Sequence, residues 1–187
     1  MQLLVIRHAR AESVKEFAKT GAADDLRPLT GDGEERMRLG AAGLHRLVEE
    51  IDVLATSPLV RTRQTAEIVA AEFGGPGIVE LDELRPEATP SAFVEWLQDA
   101  GSKETIAIVG HDMQLVTLVG LLLTGTAETV VRIKKGAALL LDVGERRRGH
   151  AGLRSGRLLW SLTPRQLRML GADLLPEAPA DAQRAEQ

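Results

Sequence analysis

The sequence predicts an α/β protein, a three-layer α/β/α sandwich with a mostly parallel central sheet. Short continuous apolar runs, such as residues 3–6 and 105–109, are typical of strands that are covered on both faces. Amphipathic segments lie between them, such as residues 30–51, which repeat apolar side chains at the spacing of a helix. Strands and helices alternate over the first two thirds of the chain, and this order indicates helices on both sides of a parallel sheet.

The helices of the first two thirds have recognisable starts. Thr30 is the expected N-cap of a helix that runs to residue 51, after a polar loop over residues 9–29. Ser57 is the expected N-cap of the next helix, with Pro58 at its first position. The other predicted elements of this part are strands at 53–55 and 78–81 and helices at 91–97 and 113–123.

The last third of the chain has a different pattern. Three predicted strands, at 130–133, 137–143 and 158–162, are joined by turns that contain glycine, which favours antiparallel or mixed pairing. Thr163 and Pro164 then supply the N-cap and first residue of a closing helix. We predict one domain over residues 1–172, followed by a flexible tail over residues 173–187 that is rich in alanine, proline and charge.

Composition narrows the classes of function. The 187 residues carry a formal net charge of −4, which argues against nucleic acid as a partner, because binding a phosphate backbone needs a basic surface. The chain has no cysteine, which excludes disulfides, thiolate metal sites and cysteine nucleophiles. The N-terminal residues lack the features of a signal peptide, and the longest apolar stretch is about half the length of a membrane span. We therefore expect a cytoplasmic protein that does not bind a membrane.

Three of the predicted strands are followed at once by side chains that suit an anion. They are Arg7 with His8, Ser57 with Arg61, and His111. In an open parallel sheet the carboxyl ends of the strands line one crevice, and ligands bind there. Arg61 also falls in the first turn of its predicted helix, whose N-terminus favours an anion. The sequence therefore predicts a positively charged pocket with two histidines and two arginines.

Such a pocket suits the transfer of a phosphoryl group. A neutral imidazole nitrogen can attack phosphorus and form a phosphohistidine, which divides the transfer into two easier steps. Arginine side chains bind phosphoryl oxygens through paired hydrogen bonds, and a second histidine, if protonated, donates another. Fixed positive charge then replaces a metal ion. We expect no metal and no cofactor, and the remaining histidines, His45 and His150, have no partners at metal-ligand spacing.

Three short motifs carry a family resemblance. Arg7-His8 closes the first strand, Ser57-Pro58 is followed by Arg61, and His111 follows a glycine. In these motifs the chain resembles the histidine phosphatase superfamily, which includes phosphoglycerate mutases and acid phosphatases. Within it the chain is most similar to the small bacterial phosphohistidine phosphatases. That branch is matched by Arg27-Pro28-Leu29-Thr30 with Gly33, by Glu83-Leu84 with Pro86, and by Trp160-Ser161-Leu162-Thr163-Pro164 with Leu167.

The resemblance implies a phosphoglycerate mutase-like fold and a role for each residue of the predicted pocket. His8 is implied as the nucleophile that accepts the phosphoryl group. Arg7, Arg61 and His111 are implied as the side chains that bind this group during the reaction.

Three positions leave alternatives open. Arg27 either contacts the substrate or only anchors its own loop through Asp24 or Asp25. Glu83 is the best-placed carboxylate to protonate the leaving group, or it is a structural or surface residue. Ala9 stands where the superfamily usually has glycine, and its methyl group could crowd the pocket or alter the turn.

The implied activity is that of a metal-independent phosphohistidine phosphatase, a hydrolase that acts on proteins through a covalent phospho-His8 intermediate. Two alternatives remain: a phosphatase for small phosphomonoesters, and a non-catalytic module that binds phosphate or a phosphoprotein. The loop over residues 9–29 has no large insertion, so the site is expected to be open enough for a protein surface. The expected partner is a phosphohistidine-bearing protein or a small phosphorylated substrate, and phosphate is the expected product.

Overall fold

A computed structural model describes residues 1–99, 103–146 and 154–172 of the chain, which form a six-stranded sheet with helices on both faces. The strands are β1 (Gln2–Arg7), β2 (Val53–Thr56), β3 (Ile78–Glu80), β4 (Thr105–Gly110), β5 (Ala138–Arg146) and β6 (Arg154–Leu162). The helices are α1 (Val14–Phe17), α2 (Gly31–His45), α3 (Val60–Glu72), α4 (Pro90–Asp99), α5 (Asp112–Thr124) and α6 (Pro164–Ala172).

The order of strands across the sheet is β3-β2-β4-β1-β5-β6. The first four strands in sequence pair in parallel, and β5 and β6 pair antiparallel at one side. The predicted α/β fold with a mostly parallel central sheet is therefore confirmed. So is the expected change to antiparallel pairing in the last third.

The apolar runs of the strands are divided between the two faces of the sheet, because successive side chains of a strand point to opposite sides. In β1, Leu3 and Val5 pack in one core cluster, and Leu4 and Ile6 pack in the other. Buried side chains of α4 and α5 complete the first cluster, and those of α2, α3 and α6 complete the second. Both faces are thus covered, as the continuous apolar runs predicted.

Two predicted helix starts are confirmed in detail. The Thr30 hydroxyl accepts a hydrogen bond from the Gly33 backbone N–H at 3.0 Å, which caps α2. Thr163 and Gln166 cap α6 reciprocally: the Thr163 N–H donates to the Gln166 side chain at 2.9 Å, and the Gln166 N–H donates to the Thr163 hydroxyl at 3.4 Å. These caps fix where α2 and α6 begin.

Two other expectations about helices are wrong. Helix α2 ends at His45, because residues 46–51 leave the helix through a turn in which the Leu47 N–H donates to the Leu44 carbonyl. The N-cap of α3 is Leu59 and not Ser57. The Ser57 hydroxyl is bonded to His111, so it does not cap the helix.

Loop and strand assignments also need correction. Residues 9–29 are not only loop: they contain α1 and two 3₁₀ turns, Ala18–Thr20 and Asp24–Leu26. Residues 130–133 are not a strand. The Ile133 carbonyl accepts a hydrogen bond from the Arg7 guanidinium at 2.7 Å and joins no β-ladder.

The domain boundary at residue 172 stays a prediction, and the tail predicted over residues 173–187 lies outside the described residues. Within the residues that are described, no helix is both long enough and apolar enough to cross a membrane.

Helices α2 and α6 approach so closely that they require glycine at the contact. A Cβ atom at Gly43 would fall far inside van der Waals distance of the Leu167 carbonyl oxygen. Gly43→Ala should therefore lower the free energy of unfolding by about 1–3 kcal/mol, the usual cost of overpacking. Gly40→Ala on the same helix is the matched control, since its Cβ would lie 4.0 Å from the Leu167 Cβ. Urea unfolding of both variants tests this, and equal stability would contradict the close packing.

Candidate active site

The three sequence motifs meet because β4 lies between β1 and β2 in the sheet. The hydrogen bonding of the sheet continues past the ends of these strands. The His8 N–H donates to the Gly110 carbonyl at 3.1 Å, and the Ser57 N–H donates to the Val109 carbonyl at 3.1 Å. The residues that follow each strand are therefore held at one edge of the sheet, as the sequence predicted.

A cavity of about 630 Å³ opens at this edge. Five of the six residues predicted for the site line it, namely Arg7, His8, Arg27, Arg61 and His111. Glu83, the sixth, is not among the lining residues. The sequence did not single out several others that line the cavity, notably Arg10, Asp112, Gln114 and Lys135.

The ring of His8 is held in one tautomer. Its Nδ1 atom lies 2.7 Å from the carbonyl oxygen of Ala9, and a carbonyl can only accept, so Nδ1 carries the proton and donates. In the neutral ring Nε2 then has the free lone pair. Among the described residues Nε2 has no hydrogen-bond partner. The side chain is thus prepared to act as a nucleophile through Nε2.

His111 stands beside His8, with the ring centroids 5.4 Å apart. Its Nε2 atom is 3.0 Å from the hydroxyl oxygen of Ser57, which is fully buried below it. Ser57 therefore orients His111 and is the residue at the end of β2 that links the second and third motifs.

Both histidines have a neutral ring at pH 7, because their pKa values are lowered. Burial lowers the pKa of His8 from 6.5 to about 3; the cations Arg61 and Arg7 act in the same direction, and the bond to Ala9 opposes them. Burial also lowers the pKa of His111 to about 3, again with help from the neighbouring arginines. The sequence left open a protonated second histidine. In the free protein His111 can donate only through the N–H of its neutral ring.

Arg7 is fixed from two sides. Its Nη1 donates to the Ile133 carbonyl at 2.7 Å and lies 2.9 Å from a carboxylate oxygen of Asp112. Its Nε is buried and has no hydrogen-bond partner within the part of the chain that the structure describes. A buried donor without a partner is costly, and an anion in the cavity is the ligand that this environment favours.

Arg61 and Arg27 share the carboxylate of Asp24. Arg27 Nε donates to it at 2.7 Å, and Arg61 Nη1 lies 3.2 Å from its other oxygen. The hydrogen bond from Arg27, chiefly, lowers the pKa of Asp24. Arg61 Nε, like that of Arg7, is buried without a hydrogen-bond partner among the residues described. Arg27 anchors its loop through Asp24 and also lines the cavity, and its contact with a substrate stays a prediction.

The hydroxyl group of Thr65 joins the segment around His8, here called the nucleophile segment, to helix α3. Thr65 Oγ1 accepts from the Ala9 N–H at 3.1 Å and donates to the Arg61 carbonyl at 2.7 Å. Ala9 itself is buried, and its φ is not in the left-handed region. The turn after His8 therefore accepts alanine in place of glycine without backbone strain.

Glu83 lies in the 3₁₀ turn Asp82–Leu84 and is partly buried. Its backbone carbonyl accepts a hydrogen bond from the side-chain amide of Gln114 at 3.3 Å, and Gln114 does line the cavity. The residue is thus close to the site through its backbone. Its role as a proton donor stays a prediction.

Positive charge dominates the cavity wall, which holds five arginine or lysine side chains and two carboxylates, Glu12 and Asp112. Lys135 is the cation that sequence reasoning missed. Its position beside Gly136, whose φ is 73°, marks a turn, but nothing in the sequence shows that this turn folds over His8. Across the described part of the chain, no group of three potential ligands could hold a metal ion.

Comparison with known proteins agrees with this geometry. The family model of the histidine phosphatase superfamily (branch 1) matches residues 3–86. An uncharacterized protein of Picosynechococcus sp. is 34% identical over 149 residues, which cover 79% of this chain and 88% of that protein. The phosphohistidine phosphatase SixA of Escherichia coli is 28% identical over 179 residues, covering 92% of this chain and 99% of SixA. A solved structure of the protein histidine phosphatase SixA with tungstate superimposes with a TM-score of 0.73 at 27% identity, covering 89% and 99% of the two chains.

The sheet brings four side chains into one basic cavity, namely Arg7, His8, Arg61 and His111. This geometry and the matches together define a class of hydrolase. The chain belongs to the histidine phosphatase superfamily, and the superfamily match together with the similarity to SixA supports a phosphatase. Its similarity to SixA in sequence and fold places it in the phosphohistidine phosphatase branch of that superfamily.

The depressed histidine pKa values can be observed directly. We expect the ring resonances of His8 and His111 to stay in the neutral form from pH 7.5 down to about pH 4.5, because each pKa lies near 3. Bound inorganic phosphate should move both titrations to higher pH, because an anion stabilises imidazolium. NMR titration of ring-labelled protein, with the signals assigned through His8→Gln and His111→Gln, measures both effects. A midpoint near 6.5 without phosphate would contradict the burial argument.

Proposed function

We propose that this protein hydrolyses phosphohistidine on proteins, through a covalent phosphoryl intermediate on His8 and without a metal ion. The observation that carries the proposal is the hydrogen bond from His8 Nδ1 to the Ala9 carbonyl at 2.7 Å, which leaves Nε2 unprotonated in a cavity lined with cations. A cytoplasmic location, as expected from the sequence, is part of the same proposal.

In the first step, the lone pair of His8 Nε2 attacks phosphorus and forms a new P–N bond. The P–N bond to the substrate imidazole breaks, its electron pair stays on the departing nitrogen, and the ring leaves neutral because its other nitrogen already carries a proton. In the second step, water attacks the phosphorus of phospho-His8 and gives up a proton to the solvent. The bond to Nε2 then breaks, which releases phosphate and restores the neutral ring.

The arginines supply the electrostatic part of this mechanism. The partners of Arg7 and Arg61 hold both guanidinium groups in place before any ligand arrives, and each group keeps a buried Nε–H without a partner. Preorganised donors of this kind stabilise the charge that develops on phosphoryl oxygens. The complex of SixA with tungstate, a tetrahedral oxyanion, supports such an anion site.

We propose phosphohistidine as the substrate, and not a phosphate ester, for two reasons: the activity of a similar protein and the chemistry of the leaving group. SixA, similar over 92% of this chain, is a phosphohistidine phosphatase. An imidazole leaving group can carry its own proton away and depends less on a general acid than an alkoxide does. A cavity that Glu83 does not line suits that chemistry. If Glu83 is a proton donor, its loss should affect phosphate esters more than phosphohistidine.

The His8 intermediate is the first expected result to test. Rapidly quenched protein, kept at neutral or alkaline pH after exposure to a phosphohistidine protein, should carry a phosphoryl adduct that mass spectrometry maps to His8. His8→Ala should lose the adduct, and turnover should fall by about a thousandfold or more, because the nucleophile is gone. Turnover that survives in His8→Ala would remove the proposed mechanism. Phosphate-competed binding with no turnover by the wild type would instead support the binding-module alternative.

The second expected result concerns the guanidinium group of Arg61. Arg61→Lys should lower kcat/KM by roughly a hundredfold, because an ammonium group cannot reproduce the planar pair of donors. Arg63→Lys is the matched control on the same helix, since Arg63 is half-exposed and pairs with Glu80. Steady-state kinetics on a phosphohistidine peptide measures both variants. Near-normal kcat/KM for Arg61→Lys would show that Arg61 does not clamp the phosphoryl group.

A further inference from the structure

A second cavity of about 480 Å³ adjoins the active-site cavity that contains His8, here called the phosphoryl cavity. The two cavities share Arg7, Arg10 and Lys135 in their walls. The second cavity, here called the basic cavity, has a partly apolar lining that includes Ala9, Met37 and Pro164. Its cationic residues are Arg7, Arg10, Arg36, Lys134, Lys135 and Arg168, and no carboxylate of the described residues lines it. The proposed mechanism uses only Arg7 from this set.

The charges of the basic cavity are incompletely balanced. Asp32 pairs with Arg10 at 3.3 Å and with Arg36 at 2.6 Å. Lys134, Lys135 and Arg168 have no carboxylate partner among the described residues. Burial and the surrounding arginines lower the pKa of Lys135, as expected where cations crowd together. In a chain whose net charge is −4, this local excess of positive charge favours the binding of an anionic ligand.

The mouth of the phosphoryl cavity carries exposed apolar side chains, which a site for a small anion alone does not require. Val14 and Met113 line this cavity, yet their side chains are 62% and 64% exposed. These two apolar side chains are accessible to the apolar atoms of a protein substrate. A protein substrate can place phosphohistidine in the cavity, apolar atoms on this rim, and an acidic side chain in the basic cavity.

We propose that the basic cavity binds acidic side chains next to the phosphohistidine of a protein substrate, so that the enzyme prefers phosphohistidines with acidic neighbours. This inference rests on the proposed function and adds a specificity determinant to it. Lys134 and Arg168 are the residues that best report on it, since both line only the basic cavity.

Two phosphohistidine peptides that differ only in aspartate or asparagine beside the phosphohistidine provide the test. The wild type should show a higher kcat/KM for the acidic peptide at low ionic strength, and added salt should reduce the difference. The double variant Lys134→Ala/Arg168→Ala should lower the acidic-to-neutral ratio of kcat/KM roughly fivefold, the loss expected for two surface ion pairs. An unchanged ratio would overturn the inference.

Arg132→Ala/Arg165→Ala is the matched control, because it removes the same charge from the same two segments of chain. Both residues are exposed and line neither cavity. This control should keep the wild-type ratio. An equal loss in both double variants would mean that net charge, and not the basic cavity, sets the preference.

A second measurement separates failure of the inference from failure of the proposed function. If the wild type hydrolyses neither peptide, the proposed function fails. The inference is then decided by fluorescence anisotropy with the labelled, unphosphorylated peptides: tighter binding of the acidic peptide that is lost in Lys134→Ala/Arg168→Ala supports it, and equal binding overturns it. An alkane bisphosphate that loses affinity in this variant, while the peptides do not, would overturn it in favour of a second phosphate group.

Discussion

The site depends on the parallel pairing of β1 and β2 with β4, which lies between them. The ladder does not stop where the strands end: the backbone of His8 is bonded to Gly110, and that of Ser57 to Val109. This places the reactive imidazole, its neighbouring histidine and the buried serine in fixed register. Covered sheet faces make slippage costly, because a shift of one residue would turn every apolar side chain of β1 to the wrong layer.

Electrostatics then decides what the site can bind. Carboxylates hold the arginines in place, with Asp112 beside Arg7 and Asp24 between Arg27 and Arg61, so the guanidinium groups are oriented but not neutralised. Burial, together with the same cations, keeps the rings of both histidines neutral. A cavity with this charge and an unprotonated Nε2 is suited to an electrophilic, anionic group such as a phosphoryl. The site thus combines attraction for the anion with a nucleophile that stays available at neutral pH.

The sequence alone was sufficient to predict those site residues that directly follow a strand. Arg7, His8 and His111 could be predicted because apolar runs locate the strands and parallel topology brings their ends together. Lys135 and Gln114 could not, since they reach the cavity through tertiary packing that leaves no local pattern. The N-cap assigned to Ser57 failed for a related reason: propensity favours a serine cap, but its hydroxyl has a tertiary partner in His111. The helix end at His45 was missed because the apolar spacing continues through Leu47 and Ile51, although the chain turns at Leu47.

The close contact between Gly33 and the Arg10 carbonyl constrains how this protein can diversify. Any side chain at position 33 would collide with that backbone oxygen, and Thr30 and Thr65 hold the same segment by hydrogen bonds. The nucleophile segment is therefore held in place by neighbouring residues that few other residue types can replace. Adaptation to new substrates is left to exposed positions such as Val14, Met113 and Lys134, where sequence can drift without disturbing the reacting groups. Relatives with one chemistry and divergent recognition are the expected evolutionary outcome.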